Sequence, residues 1–196
     1  MRGCCQILAA WFLVCAPIWA QTSTAELTEF RVERQDSSLL LNAQVRLELG
    51  PVIEDALIKG LVLHFVAEAE VMRDRWYWYD RKVGTAVRHY RLAYQPLTRR
   101  WRVNVSTDPI AHSGVTSSLS QSFDSLQDAL GVVRRQTGWR LAEMSDIDLD
   151  ARQYVAYRFK LDVSQLPRPF QIATGNQADW RLEITRNMRL TFDTVR

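Results

Sequence analysis

Residues 39–49 read LLLNAQVRLEL and decide the fold class, because apolar and polar residues alternate along them. In an extended chain, one face would carry only the apolar side chains of Leu39, Leu41, Ala43, Val45, Leu47 and Leu49. The opposite face would carry Asn42, Gln44, Arg46 and Glu48. A strand with one dry face and one wet face is typical of antiparallel sheets, since parallel strands covered on both sides read as continuous apolar runs.

The same alternation recurs on both sides of this stretch. It predicts a first strand around Phe30 and Val32, a strand over 61–71, and later strands over 155–163 and 180–192. Two further alternating runs, joined by the polar turn 95–99, predict a β-hairpin with Tyr90, Leu92, Tyr94, Trp101, Val103 and Val105 on its dry face. We therefore expect a mainly β fold, an antiparallel sandwich-like structure or partly closed barrel with two short α-helices.

The two helices are predicted from capping residues. Pro51 suits a first helical position, and Gly60 can end that helix in a left-handed conformation. The second helix is expected from about Ser125, with Asp128 in a capping arrangement, to Thr137, and Gly138 would end it. Between the hairpin and this helix, the Ser-, Gly- and Thr-rich segment 107–122 is predicted to be a mobile loop.

The first 20 residues have the layout of a secretory signal peptide. Arg2 precedes an uncharged run from Ile7 to Ala20. This run is shorter than the roughly 20 apolar residues that span a bilayer as a helix, and Pro17 interrupts it. We expect cleavage after Ala20, a periplasmic location, no transmembrane segment after cleavage, and a single β-rich domain over 21–196.

Cysteine placement limits the chemistry of the mature chain. All three cysteines, Cys4, Cys5 and Cys15, precede the expected cleavage site. The mature domain would therefore contain no disulfide, no thiolate metal site and no thiol nucleophile, although export leads to a compartment where disulfides can form. Its stability must come from a hydrophobic core.

One strand pattern breaks at a cluster of arginines and aromatic residues. The phase of the strand over 61–71 would carry Arg73 and Arg75 into the core, and a buried unpaired guanidinium is too costly. We therefore expect the strand to bulge, bend or leave the sheet there. Trp76 and Trp78, in the run 76–79 that follows, either pack the sheet or form an exposed aromatic platform for a sugar, peptide or lipid.

Positive charge is concentrated in the same region. Residues 73–102 hold nine Lys and Arg against two Asp and Glu, whereas residues 21–72 hold four against nine. Arg88, Arg91 and Arg100 are candidates for contacting an anionic partner such as a phosphorylated lipid headgroup, an acidic glycan or an acidic protein face. In the alternative interpretation, these arginines line a wet sheet face. Nucleic acid fits the charge but is seldom met by an exported protein.

Catalytic and metal-binding signals are weak. His64 lies in an apolar strand, His89 lies among arginines, and His112 adjoins Ser113 in the predicted loop. The chain contains no paired-histidine metalloprotease helix, serine elbow, Ser-x-x-Lys motif or phosphate-binding glycine loop. Residues 146–150 resemble the opening of a calcium loop, but its sixth and twelfth positions hold Ala151 and Tyr157. We expect no enzyme activity, cofactor or metal.

Residues 166–171 read LPRPFQ and include the candidate contact residue Phe170. Pro167 and Pro169 favour an extended backbone and remove two hydrogen-bond donors, so the stretch should leave the sheet or lie on an edge. It is either a docking segment for a partner or a rigid connector before the last strand.

The stretches RWYWYD (75–80), YRLAY (90–94), LTR (97–99), 126–130 and LPRPFQ (166–171) occur in this order along nearly the whole mature chain. In this combination the chain resembles an uncharacterised family of exported proteobacterial proteins, a domain of unknown function of the proline-rich signal peptide protein type. The resemblance implies a Gram-negative envelope location and a shared fold. It brings no activity, cofactor or catalytic residue.

These observations favour a non-enzymatic periplasmic binding or accessory protein that meets its partner through a basic, aromatic hairpin surface. The candidate contact residues are Arg73, Arg75, Trp76, Trp78, Arg88, Arg91, Arg100 and Phe170. Two alternatives are an envelope hydrolase that uses His112 with a loop serine, and a structural protein that pairs with another chain through an open sheet edge. The partner and the oligomeric state are not encoded in any motif.

Overall fold

The computed structural model describes residues 22–74, 80–108, 119–149, 151–174 and 177–191. The strands are β1 (Thr24–Gln35), β2 (Ser38–Glu48), β3 (Leu63–Arg73), β4 (Arg81–Gln95), β5 (Arg100–Ser106), β6 (Leu119–Phe123), β7 (Arg135–Glu143), β8 (Gln153–Leu161) and β9 (Glu183–Arg189). The helices are α1 (Pro51–Ile58), α2 (Leu126–Arg134) and α3 (Arg168–Thr174). Short 3₁₀ turns occupy Met144–Asp146, Val163–Gln165 and Ala178–Trp180.

The strands form two antiparallel sheets. The smaller sheet has the order β1-β2-β7, and the larger one has the order β6-β5-β4-β3-β8-β9. The mainly β, sandwich-like prediction is confirmed, and the sheets do not close into a barrel. We call the face of each sheet that is turned toward the other sheet its inner face, and the opposite one its outer face.

The core lies between the inner faces of β2, β3 and their neighbours. The apolar residues that alternate along 39–47 and 63–71 are almost completely buried, as predicted. Phe65 of β3 stacks on Phe159 of β8 with ring centroids 5.8 Å apart. Tyr157 of β8 donates a hydrogen bond of 2.9 Å to Gln136 Oε1 of β7 and so joins the two sheets across the core.

The two sheets pack closely where β4 passes β7. A Cβ atom placed on Gly84 of β4 would lie 2.5 Å from the carbonyl oxygen of Leu141 and 2.9 Å from Cβ of Ala142. Real Cβ atoms do not approach backbone atoms this closely, so glycine at this position allows the two backbones to pack together. This contact helps to set the spacing of the sandwich.

The first helix agrees with its prediction and the second is shorter. Pro51 begins α1, and Gly60 follows it with φ of +92°. Ser125 caps α2 by accepting a 3.1 Å hydrogen bond from the backbone N–H of Asp128. However, α2 ends at Arg134, and the chain continues directly into β7. The prediction that the helix extends to Thr137 was therefore wrong.

Gly138 also has another role than the one predicted. It lies inside β7 with φ of +60°, and its N–H donates a 2.8 Å hydrogen bond to Asn42 Oδ1. The pairing of β7 with β2 shifts register between Gln136 and Trp139, which span Gly138, and again between Arg140 and Ala142. Gly138 therefore serves a β-bulge instead of a helix end. Part of the predicted loop 107–122 is likewise strand, because β6 begins at Leu119, while residues 109–118 lie outside the described chain.

The expected irregularity near Arg73 is present, but it lies in the neighbouring strand. Opposite Val71 and Met72, the pairing jumps from Gly84 to Lys82, so β4 contains the extra residue while β3 stays in register with β8. Arg73 keeps the inner phase at the end of β3 and forms a 3.4 Å salt bridge with Asp148. The guanidinium is tolerated there because a carboxylate partners it.

Ser23, just before β1, is hydrogen-bonded to two residues that are distant in sequence. The backbone N–H of Ser23 donates a 3.2 Å hydrogen bond to Asp179 Oδ1, and Ser23 Oγ accepts one of 2.8 Å from the N–H of Gly50. Gly50 precedes α1, and Asp179 lies in the turn Ala178–Trp180. These two hydrogen bonds, the Ser23 contacts, hold the start of β1 beside α1.

Candidate functional site

The structure separates the arginines that the sequence singles out. Arg73 and Arg88 belong to inner faces, since Arg88 pairs with buried Ala67 and its guanidinium lies 5.2 Å from the ring centroid of Trp139 on β7. Such cation–π contacts contribute to packing between the sheets. Arg75, Trp76 and Trp78 lie outside the described residues, so the choice between core and platform stays open.

The remaining hairpin arginines share the outer face of the larger sheet. Arg91 is paired with Asn104, Arg102 with Ala93, and Arg100 with Gln95. These positions alternate with inward-facing Leu92, Tyr94, Trp101 and Val103. Arg99 sits in the intervening turn with φ of +52°. We call Arg91, Arg99, Arg100 and Arg102 the basic hairpin face.

Charge on the basic hairpin face is only partly neutralised. Arg100 forms an exposed salt bridge of 3.0 Å with Asp124. Among the described residues, Arg91, Arg99 and Arg102 have no carboxylate partner within salt-bridge distance. An excess of unpaired guanidinium groups on one face makes the local potential positive.

The stretch 166–171 lies outside both sheets, as predicted, but from Arg168 onward it is helical instead of extended. Pro167 O accepts hydrogen bonds from the N–H groups of Phe170 (2.9 Å) and Gln171 (3.2 Å), and α3 begins at Arg168. The extended prediction was wrong from Arg168 because both prolines fall at the very start of a helix, where a missing N–H costs nothing. Leu166 is buried and fixes the start of this helix on the sheet.

A cationic pocket of about 450 Å³ lies where this segment meets the outer face of β3 and β4. Its polar wall contains His64, Arg91, Arg168, Ser164 and Gln165, and none of its lining residues is acidic. His64 is 8% exposed, although its phase is that of the outer face. The turn Val163–Gln165 packs against β3, and His64 O accepts a 2.7 Å hydrogen bond from the N–H of Asp162.

An apolar pocket of about 500 Å³ lies between α1, α3 and the turn Ala178–Trp180. Val52, Ala56, Phe170 and Trp180 supply most of its apolar wall, and Asp55 and Lys59 form a 3.1 Å ion pair in its lining. Trp180 is 4% exposed, and its indole N–H has no hydrogen-bond acceptor among the described residues. A buried donor without an acceptor is uncommon in folded proteins.

The two pockets adjoin each other. Gly60, Leu61 and Pro167 line both of them. We call the combined site the two-pocket cleft. It brings together two predicted contact residues from distant parts of the sequence, Arg91 in the cationic pocket and Phe170 in the apolar pocket.

Sequence reasoning missed other residues of the cleft. Arg168 lies two residues before Phe170 in the stretch LPRPFQ, which was singled out for its prolines. Its closeness in sequence to Phe170 could have identified it as a contact residue. Trp180 was assigned to the last strand, but it lies in a 3₁₀ turn before β9. Its place in a pocket wall depends on packing against α1, which no local pattern shows.

Of the three histidines in the chain, the structure describes His64 and His89. Burial lowers the pKa of His89 below its usual 6.5, against the opposing effect of the carboxylates of Asp162, Asp108 and Glu68. His112, on which the hydrolase alternative depends, lies outside the described residues. Within the described ranges, no group of three His, Cys, Asp or Glu side chains could hold a metal ion.

No helix in the described part of the chain is both long and apolar enough to cross a membrane. Neither the search of curated proteins nor that of solved structures found a match. The scan against family models matched residues 22–189 to the family described as a domain of unknown function (DUF4390). The match covers all nine described strands and the whole two-pocket cleft, and the chain therefore belongs to the DUF4390 family.

Proposed function

We propose that the chain is a non-enzymatic, exported binding or accessory protein of the Gram-negative envelope, and that its basic hairpin face binds an anionic component of that envelope. The observation that carries the proposal is the shared outer-face orientation of Arg91, Arg100 and Arg102, with Arg99 in the adjoining turn. Three of these four arginines lack a carboxylate partner among the described residues. Guanidinium groups are well suited to phosphate and carboxylate, which they can bind through two parallel hydrogen bonds.

The proposed location rests on the N-terminal pattern. An uncharged run over 7–20 after Arg2 is typical of a signal peptide, and all three cysteines lie within the first 15 residues. A periplasmic domain would meet anionic lipid headgroups at the membrane surfaces that enclose it. Lipid headgroups of this kind attract basic residues by roughly 1 kcal/mol for each residue near the surface.

The proposal predicts that removing the hairpin charges abolishes binding to an anionic membrane. The test variant combines Arg99→Glu, Arg100→Gln and Arg102→Glu, in which glutamine at 100 avoids placing a second carboxylate beside Asp124. Flotation with phosphatidylglycerol vesicles should show binding by the parent protein that weakens as salt is raised. The loss of three charged contacts is expected to weaken vesicle binding by at least about 100-fold, since about 3 kcal/mol is removed.

The matched control combines Arg34→Glu, Arg46→Gln and Arg189→Glu. Like the test variant, it reverses the charge of two arginines that have no described carboxylate partner, here Arg34 and Arg189. It also neutralises one arginine that is in a salt bridge, here Arg46 with Glu26. These residues lie on β1, β2 and β9, away from the hairpin. Equal binding by the two variants, or binding by the parent that does not respond to salt, would refute the proposal.

A second candidate function is strand addition at the groove between the sheet edges β1 and β9. In the described chain each of these strands pairs with one neighbour only, and a groove of about 520 Å³ runs between them. Phe30, Val32 and Leu190 are half-buried there, and an added strand could cover them. A photo-crosslinking residue in place of Glu33 should then capture a partner protein from the native envelope, whereas one in place of Arg102 should not.

A further inference from the structure

We infer that the two-pocket cleft is a binding site for a single-chain amphiphile, a molecule with one carboxylate or phosphate group and one apolar chain. The inference extends the proposed function, because it names a ligand class and a second site for an anionic partner. The cleft shares Arg91 with the basic hairpin face and adds Arg168, Phe170 and Trp180, which are not part of that face.

The cationic pocket fits the head of such a molecule. Arg91 and Arg168 enter its wall from β4 and α3, and neither has a described carboxylate partner. Ser164 and Gln165 add groups that can donate hydrogen bonds. Since no acidic residue lines the pocket, an entering anion meets two positive charges and no repulsion from its walls.

The apolar pocket fits the chain. Its volume of about 500 Å³ lies within the range of roughly 300–1,000 Å³ that is usual for small-molecule sites. Phe170 is 43% exposed and Val52 is 48% exposed, so apolar surface of both side chains is open to a ligand. Covering apolar surface contributes about 25 cal/mol for each Å² removed from water.

The two pockets share the lining residues Gly60, Leu61 and Pro167, so a ligand that occupies both must cross at these residues. At Gly60, a Cβ atom would meet no other atom within 4 Å, so the backbone there borders open space. Leu61 and Pro167 complete the shared wall with apolar surface. A ligand that crosses at Gly60 would place its head beside Arg91 and Arg168 and its chain beside Phe170.

The indole N–H of Trp180 is buried away from solvent, so this residue offers a ligand only apolar ring surface. Two kinds of molecule join an anionic head to one apolar chain. Fatty acids and single-chain phospholipids share an anionic head with oxygen acceptors, and they differ in whether the head is a carboxylate or a phosphate.

Calorimetric titration with monomeric amphiphiles tests the inference. The probes are decanoate, decyl phosphate and decanol, which have the same chain length and differ in the head group. The parent protein should bind at least one of the two anions about 10-fold more tightly than decanol. Tighter binding of decanoate would point to a fatty acid as the natural ligand, and tighter binding of decyl phosphate would point to a phospholipid.

Two variants separate the roles of the pockets. Arg168→Glu should remove the preference for the anion over decanol, whereas Phe170→Glu should weaken binding of all three probes at least 10-fold. Their matched controls are Arg186→Glu, an exposed arginine on β9, and Ile172→Glu, which replaces an 84% exposed apolar residue on the same helix as Phe170. Both controls should bind as the parent does.

The outcomes distinguish this inference from the proposed function. The hairpin variant Arg99→Glu, Arg100→Gln, Arg102→Glu should keep amphiphile binding while losing vesicle binding. Phe170→Glu should keep vesicle binding while losing amphiphile binding. No binding of any probe, equal affinity for decanol and the anions, or equal effects of Phe170→Glu and Ile172→Glu would overturn the inference. Displacement of the probes by an acidic peptide with an affinity higher than theirs would also overturn it, in favour of a protein partner.

Discussion

Replacing Gly84 with alanine is expected to lower the free energy of unfolding by about 1–3 kcal/mol, the usual cost of overpacking a filled interior. The added Cβ would lie 2.5 Å from a backbone oxygen of Leu141, and a backbone atom cannot move aside as the end of a flexible side chain can. The two sheets would have to separate locally, and packing around Arg88 and Trp139 would loosen with them. Chemical denaturation followed by circular dichroism measures the loss.

The matched control is Gly131→Ala in α2. A Cβ at Gly131 meets nothing within 4 Å, and the residue is exposed within a helix. Alanine there should raise stability by roughly 0.5–1 kcal/mol, because glycine loses more backbone entropy when a helix forms. If Gly84→Ala proved as stable as the parent protein, close contact between β4 and β7 would not be a feature of the folded protein in solution.

Replacing Phe159 with alanine is expected to cost about 3–5 kcal/mol, more than the change at Gly84. Phe159 is fully buried and stacks on Phe65, so the change removes a ring from the centre of the larger sheet and leaves a cavity. Total stabilities of domains are only about 5–15 kcal/mol. The variant should therefore unfold at a much lower denaturant concentration, or fail to accumulate as a folded protein.

Phe170→Ala provides the comparison for Phe159→Ala. Phe170 is 43% exposed and lies at the surface of α3, so its removal should cost much less than removal of Phe159. A similar loss in both variants would contradict the assignment of Phe159 to the core and of Phe170 to an accessible pocket wall. Because phenylalanine is changed to alanine in both cases, the difference reports mainly burial, with a smaller contribution from the preference of alanine for helix over strand.

Strands with regular alternation could be predicted from the sequence, and interrupted ones could not. In β7 the buried residues Gln136, Trp139 and Leu141 are spaced by three and then by two, because a bulge at Gly138 intervenes. A spacing of three suggests a helix, and α2 runs into this strand without a loop. β6 was missed for a different reason, since an exposed edge strand needs no apolar face and its sequence is LSQSF.

The candidate site could be predicted only in parts. Arg91 and Phe170 were both identified as contact residues, but the packing of Val163–Gln165 against β3, which brings them near each other, involves residues about 100 positions apart. Arg73 was expected to force its strand out of the core, and Arg88 was expected to meet an anionic partner or line a wet sheet face. Each instead has a partner that sequence spacing cannot reveal, Asp148 for Arg73 and the ring of Trp139 for Arg88. Local patterns identify which side chains are unusual, and long-range packing decides which of them meet.

The Ser23 contacts have a practical consequence for anyone who handles this protein. Ser23 is held by Gly50 and Asp179. Gly50 is two residues before Val52, and Asp179 directly precedes Trp180; both Val52 and Trp180 belong to the cleft wall. A fusion partner, affinity tag or sensor-chip linkage attached directly before Thr22 would therefore crowd the cleft and mask a ligand that binds there. Attachment through an engineered cysteine at an exposed position of β1, such as Glu33, would leave the cleft accessible in binding assays.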